Sequence, residues 1–339
     1  MKKNKLFSLL LAIIMMFTFT FYGQTSALAN EINTDNSLFY QEYAKRYLSI
    51  VENISPQFTR YLPLYDVDSD CVIAYAFEFQ NGYIIININS LRAHEFSISD
   101  ESPFIDLNQN TKLYYNGLFE YYIKADNMFV HINSIKDKTV DFTNALSDGE
   151  MYSVLSNELV LTSTEKNEML NALVISYQTN DIYLVDEGHL SGTLSTVWKE
   201  NMCGPNCANA MLRYLGLTNT AKTQYETIDE IASYTGSAVT LSSLRNGINQ
   251  YLAANGKSAR VSSCNYEFYR IVREIDSNQP LTLGTINHVN LVHGFKQEYL
   301  TVTGKTIYTI YMNNGGGSNN VATSYVDIYG DDLRDHVYY

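Results

Sequence analysis

The spacing of apolar residues changes several times along this chain, and the order of those changes limits its architecture more than any single residue does. From Leu38 to about Asn53 apolar residues recur at helical spacing (Tyr40, Tyr43, Ala44, Tyr47, Leu48, Val51), which predicts one amphipathic helix. The segments Val72 to Phe79, Gly82 to Ile88, Leu113 to Lys124 and Met128 to Ile135 are then rich in Ile, Val, Tyr and Phe, with turn residues between them, and read as strands. From Thr139 to about Ser195 the chain is more polar, apart from strand-like Ala172 to Tyr177 and Ile182 to Val185. Gly, Ser and Thr cluster from Gly188 to Thr196, and we place a boundary there. Beyond it come candidate helices at Pro205 to Leu215, Ile228 to Tyr234, Leu241 to Ala254 and Tyr266 to Ile275. Strand-like Leu281 to Ile286, Val289 to Phe295, Thr306 to Met312 and Thr323 to Ile328 follow. Helices first and antiparallel strands afterwards is an α+β order, preceded here by a sheet-rich half.

Lys2, Lys3 and Lys5 precede an apolar run from Leu6 to Tyr22, and Ala27-Leu28-Ala29 follows, the pattern of a secretory signal cut after Ala29. The run is almost long enough to span a bilayer, so an uncleaved, surface-anchoring form is the alternative; in both cases the rest of the chain is exported. The expected layout is a signal peptide over 1–29, an α+β domain over 30–190 and a second domain over 191–339, each long enough to bury its own core. The formal charge of -13 becomes -16 once the three signal lysines are gone, which argues against nucleic acid and anionic membranes as partners and favours a protein or peptide. Cysteines at 71, 203, 207 and 264 are too few to staple an exported chain of this size, so at least one is expected to be kept as a thiol for its chemistry.

The densest feature is the run from Trp198 through Met202-Cys203-Gly204-Pro205-Asn206-Cys207 to Met211, Tyr214 and Gly216. Pro205 suits the first turn of a helix and Gly216 its C-terminal stop, which puts Cys203 at a helix N-terminus. The unpaired amides and positive dipole end there stabilise a thiolate. Cys203, Cys207, Met211 and Tyr214 share one stripe, so the helix is expected to pack deep, with Cys207 as a small core residue. A Cys203–Cys207 bridge is disfavoured, because Cβ atoms four apart on a helix lie about 5–6 Å from each other, against the roughly 3.5–4.5 Å of a disulfide. Cys207 with Cys264 is the favoured pairing if a bridge forms.

A nucleophilic thiol needs an imidazole within hydrogen-bond reach. His94, His131, His189 and His336 lie outside the strand-like segments of the second half and read as surface or structural residues. His288 and His293 lie in Asn287-His288-Val289-Asn290-Leu291-Val292-His293-Gly294-Phe295; five apart on a strand they are expected to face opposite ways, so one of them can serve a given cleft.

The Cys203 segment resembles the active-site helix of papain-like cysteine peptidases, particularly the bacterial branch of double-glycine leader peptidases and streptopain. There a Cys-Gly-Pro opens the helix, and a Met and an aromatic-plus-Gly follow at the spacing of Met211 and Tyr214 to Gly216. The resemblance covers about the last 145 residues. It implies a papain-like C-terminal domain with Cys203 as nucleophile and no metal or organic cofactor. It favours His288 as base, because the family's histidine begins an apolar strand ending in Gly plus an aromatic, as Gly294-Phe295 does, and Gln279-Pro280-Leu281-Thr282-Leu283-Gly284 resembles the strand leading into it. His293 is then structural. Asn313-Asn314-Gly315-Gly316-Gly317 resembles the segment that supplies the orienting Asn or Asp. Asn314 is preferred and Asn313 is the alternative, although the usual Trp is absent. The family's oxyanion Gln has no counterpart between Gln178 and Gln224; the Cys203 amide gives one donor, with Asn201, or else Trp198, as candidates for a second.

Leu62 to Asp66, Ala74 to Phe79, Asn81 to Ile85, Glu95 to Ser97 and Ser102 to Phe104 resemble the pro-domain of streptopain-type peptidases, which blocks the cleft until removed. A permanent accessory domain is the alternative. The resemblance as a whole implies an exported peptidase acting through a Cys203 thioester. A papain-like acyltransferase using the same thioester, and an inactive papain-fold binding module suggested by the missing Gln, are the other two readings.

Overall fold

The computed structural model describes residues 36–338 apart from 99–101, 109, 137–138, 141–144, 148–150, 152–158, 180–181, 192–193, 195–196, 198, 200–201, 237–239, 266, 285–287, 303, 314–320 and 326–334. The secretory signal and its cut site, Trp198, Asn201 and Asn314 fall outside the described residues, as does the side chain of Cys264.

The first predicted helix is α1 (Asn36–Val51), and every apolar position of its expected stripe, from Tyr40 to Val51, is buried. It lies on β2 (Val72–Phe79) and β3 (Gly82–Asn87), which with β1 (Phe58–Tyr65) and β4 (Ala93–Ser97) form a run of antiparallel neighbours. Gly82 makes the β2–β3 turn at φ 105°, and a Cβ there would overlap the Ser97 carbonyl on β4. Gly82→Ala is therefore expected to lower the urea midpoint by the equivalent of about 2 kcal/mol or more, read by chemical denaturation.

Leu113 to Lys124, expected as one strand, is two: β5 (Leu113–Tyr115) and β6 (Tyr121–Ala125), folded back at Asn116–Glu120. Asn116-Gly117 was the signal for this, since Gly117 takes φ 119° in the turn. Next come β7 (Met128–His131), the short pair β8 (Ile135–Lys136) and β9 (Thr139–Val140), and β10 (Leu146–Ser147). The expectation of a strand at Ala172 to Tyr177 is overturned: these residues lie in α2 (Ser163–Thr179). Their β-branched character, at Val174 and Ile175, is overridden by a capping exchange between Thr162 and Glu165 and by burial of Leu170, Leu173 and Ser176 at helical spacing against α1.

After β11 (Ile182–His189) the order is α+β as expected. Helices α3 (Cys203–Tyr214), α4 (Gln224–Thr235), α5 (Leu241–Ala254) and α6 (Phe268–Asp276) are interleaved with β12 (Ser262–Asn265). β13 (Leu281–Gly284), β14 (Val289–Leu300), β15 (Lys305–Asn313), β16 (Val321–Tyr325) and β17 (Asp335–Tyr338) follow. Val289 and Leu291 of β14 pack with α3 and α5, while Val292 and Phe295 pack with α6, so the sheet is covered on both faces.

The two halves share one sheet. Its order is β10-β7-β6-β5-β1-β2-β3-β4-β16-β15-β14-β13-β17-β12, with β11 also on β14. The seam is β4 against β16, where Phe96 faces Ala322 and Ser97 faces Val321. One apolar core likewise crosses it: α1, α2, Phe77, Ile84 and Phe96 pack with Leu300 and Ala322.

Candidate active site

Helix α3 begins at Cys203 because Pro205 suits its first turn, although Met202, at the cap position, offers no side-chain acceptor. It ends at Gly216, whose φ of 68° lets the Leu217 amide bond back to the Leu212 carbonyl. Residues Gly204 to Leu212 are all buried, so the helix is enclosed and its first residue, half-buried Cys203, emerges at the end.

The start of β14 locks onto that first turn through one residue. The Val289 amide donates to the Cys203 sulfur, and the Val289 carbonyl accepts the Cys207 thiol at 3.2 Å. Two cysteines one helical turn apart thus set the register between helix and strand. The side chain immediately before Val289, His288, lands on Cys203, and the two are hydrogen-bonded. Cys207 is wholly buried and its thiol is pushed well up by burial and by the charge of Cys203. It is a free thiol, which overturns the favoured Cys207–Cys264 pairing: its sulfur is committed to a backbone carbonyl inside the packed core.

Burial pushes the Cys203 thiol up, but the neighbouring His288 charge, its hydrogen bond and the Val289 amide outweigh this and hold Cys203 below the ordinary thiol range. Burial pushes His288 the other way, and again the charges win. Cys203 and then Glu120 hold the imidazolium well above the usual histidine range. The pair therefore favours thiolate and imidazolium.

Strand parity does not separate His288 from His293 as expected. His288 precedes β14, and β14 bulges at His293, so that Val292 and Gly294 face consecutive residues Met312 and Tyr311 on β15. Contact with Cys203 is what distinguishes His288. His94 lies buried edge-on to Tyr115, His131 Nε2 donates to the Phe119 carbonyl at 3.0 Å, and His189 Nε2 lies 3.0 Å from Glu187. Asn313 ends β15, buried and opposite Leu291.

The residue that sequence reasoning missed is Glu120, at the end of the β5–β6 turn. Its Oε1 lies 3.5 Å from His288 Nδ1, with the two side chains 12% and 11% exposed. Burial raises the Glu120 carboxyl, but His288, His131 and a hydrogen bond from the Tyr122 hydroxyl together hold it below the usual carboxylate range. The Phe119 ring lies 5.8 Å from the His288 ring. The preceding Leu118 and Phe119 are buried in the core formed by α6 and β13–β15. Asn116-Gly117 announces a turn, but no local pattern ties that turn to His288.

Behind it sits Glu95, fully buried, accepting from the Phe119 amide at 2.9 Å and the Tyr83 and Tyr115 hydroxyls at 2.8 and 3.4 Å. Burial pushes its carboxyl up to about 7, against the opposing pull of these donors and of His288. Below about pH 4.5 Glu95 is protonated folded or unfolded; between about 4.5 and 7 the unfolded chain ionises first, so stability falls as pH rises. The expected loss is roughly 3 kcal/mol, complete above about pH 7. Subtracting the pH dependence of Glu95→Gln stability from that of the wild type, both by urea denaturation, should isolate this fall. Parallel curves would contradict it.

Among the described residues, no group of three or more His, Cys, Asp or Glu side chains is placed to hold a metal ion. No protein family and no curated protein matches the chain. A solved structure that overlaps it in part is UfSP from C. elegans, with a TM-score of 0.32 and 9% identity, covering 45% of this chain and 34% of that one. The chain thus spans about a third of that protein's length, an overlap too low to assign a fold.

Proposed function

We propose that this chain is an exported papain-like cysteine peptidase with Cys203 as nucleophile and His288 as general base and acid. The observation that carries the reading is Cys203 at the head of an enclosed helix, hydrogen-bonded to His288, whose charge holds the thiol below its ordinary range. In the reaction the Cys203 sulfur attacks the carbonyl carbon of a peptide bond, and the oxygen takes the negative charge. The amides that head α3, first that of Cys203, face the developing oxyanion. His288 gives its proton to the leaving amine nitrogen as the C–N bond breaks, leaving a thioester. Water then adds to the thioester, His288 takes its proton, and the C–S bond breaks to release the carboxylic acid and restore the thiolate–imidazolium pair. No metal or organic cofactor takes part in this scheme. Asn201 as a second oxyanion donor is part of the proposal, and Asn314, which the resemblance offers to orient His288, competes for that role with Glu120, whose Oε1 lies 3.5 Å from His288 Nδ1.

The test is to treat the full chain with a peptidyl chloromethyl ketone and locate the adduct by mass spectrometry. A single adduct on Cys203 that is lost in His288→Ala is expected. An adduct on Cys207 instead, or none, would overturn the assignment.

A further inference from the structure

We propose that Glu120, supplied by the N-terminal half, is a positioning residue for His288, so that the working site is Cys203–His288–Glu120 and the N-terminal half is a permanent part of it. This rests on the peptidase reading above and deepens it.

Three observations carry the inference. The first is placement: Glu120 Oε1 faces His288 Nδ1 at 3.5 Å while His288 keeps its hydrogen bond to Cys203. A carboxylate there holds the ring's orientation and stabilises the imidazolium, as an orienting Asp does in a catalytic triad.

The second is the effort spent on aiming the turn. Phe119 sits in the left-handed region at φ 63°, which a bulky residue rarely adopts. Both of its backbone groups are tied down, the amide to buried Glu95 and the carbonyl to His131 Nε2. The turn closes on itself through the Asn116 amide to the Glu120 carbonyl at 2.8 Å and the Glu120 amide to the Gly117 carbonyl at 3.0 Å. The Tyr122 hydroxyl holds Glu120 Oε2, leaving Oε1 toward the histidine. Phe119 meanwhile covers the His288 ring and keeps the contact in a low-dielectric setting.

The third is permanence. Leu118 and Phe119 are embedded in the core of the C-terminal half, and that half's Leu300 and Ala322 in the core beneath α1, while β4 and β16 continue one sheet. A segment that is cut away after serving as a plug would leave these apolar surfaces open to water.

The groups facing the site are Cys203 from α3, Glu120 and Tyr122 from the β5–β6 hairpin, His131 from β7 and Glu95 from β4. The negative charge of Glu120 raises both the imidazolium and the thiol. Removing it must therefore move both limbs of the activity profile to lower pH.

The experiment compares full-length wild type, Glu120→Gln, Glu120→Asp and Glu120→Ala. It measures peptide hydrolysis from pH 4 to 10, Cys203 alkylation by iodoacetamide by mass spectrometry, and the His288 titration by NMR. Near-UV circular dichroism confirms that each variant is folded. Glu120→Ala should hydrolyse peptide at least tenfold more slowly at neutral pH. Glu120→Gln, which keeps a neutral acceptor, should lose less but shift both limbs and the His288 midpoint down, and Glu120→Asp should recover part of the rate. A merely structural role would leave the limbs and the midpoint where they are. Unchanged profiles in a labelled protein, or a Glu120→Ala that hydrolyses peptide at the wild-type rate or faster, would overturn the Glu120 role alone. A wild type with no Cys203 reactivity above that of an ordinary thiol would overturn the peptidase reading and this role with it.

Discussion

Replacing Cys203 by Ser, or His288 by Ala, should lower the second-order rate of peptide hydrolysis by about a thousandfold or more, with the fold intact. Ser presents a hydroxyl that the imidazole cannot hold as an anion in the ground state, whereas the Cys203 thiol is already lowered by the His288 charge and hydrogen bond and by the Val289 amide. Removing the imidazole eliminates both the partner charge and the acid that protonates the leaving amine, each a large part of general acid–base catalysis. The wild-type profile should be bell-shaped. It rises where Cys203 deprotonates, below the ordinary thiol range, and falls where His288 deprotonates, above the ordinary histidine range. Both midpoints belong to the coupled pair. In His288→Ala burial and the Glu120 charge act on the thiol against the Val289 amide alone, so its alkylation should show one limb displaced to high pH. Hydrolysis of a fluorogenic peptide mixture together with iodoacetamide alkylation across pH reads both effects; a His288→Ala profile that still rises below the ordinary thiol range would contradict the ion pair.

Expressing residues 191–339 without the preceding half should give a chain that does not unfold cooperatively and whose Cys203 reacts as an ordinary thiol. The reason is the shared core. Leu300 and Ala322 are 4% and 1% exposed because α1 and its sheet cover them, and Leu118 and Phe119 fill the core of β13–β15 from the other side. Burial of each large apolar side chain is worth about 1.5–3 kcal/mol, so losing three is of the order of a whole domain's net stability. Polar ties go with them: the Tyr311 hydroxyl to Glu52 at 2.9 Å and the Lys296 ammonium to the Val51 carbonyl. Strand β16 also loses its β4 neighbour and is left as an open sheet edge. Thermal and urea unfolding of the isolated segment, beside the full chain, measures this. A cooperative transition with Cys203 alkylated at the full-chain rate would instead mark the N-terminal half as dispensable, in line with the removable pro-domain that the sequence resemblance implies.

These outcomes depend unequally on what could be read from the residues. Local signals were sufficient wherever a structure is made by neighbours in sequence. Helix α3 begins and ends where Pro205 and Gly216 place it, and α1, β2, β3, α5 and β15 follow their apolar periods to within a residue or two. The same local logic had an answer for α2, in the Thr162-to-Glu165 cap, but Val174 and Ile175 pointed the other way and packing against α1 settled it. The bulge at His293 left no local mark, and neither did the commitment of Cys207 to the Val289 carbonyl, which removes it from disulfide pairing.

The amino-acid order by itself determined a thiol at a helix N-terminus, a histidine at the head of a strand and the α+β order that carries them. Only the tertiary structure decided that Val289 clamps the two together, that β4 and β16 join the halves into one sheet, and that Glu120 reaches His288. The physical reason is range: caps, turns and apolar periods act over a few residues, whereas these contacts join residues far apart in the chain, and they exist only once burial has brought their strands together.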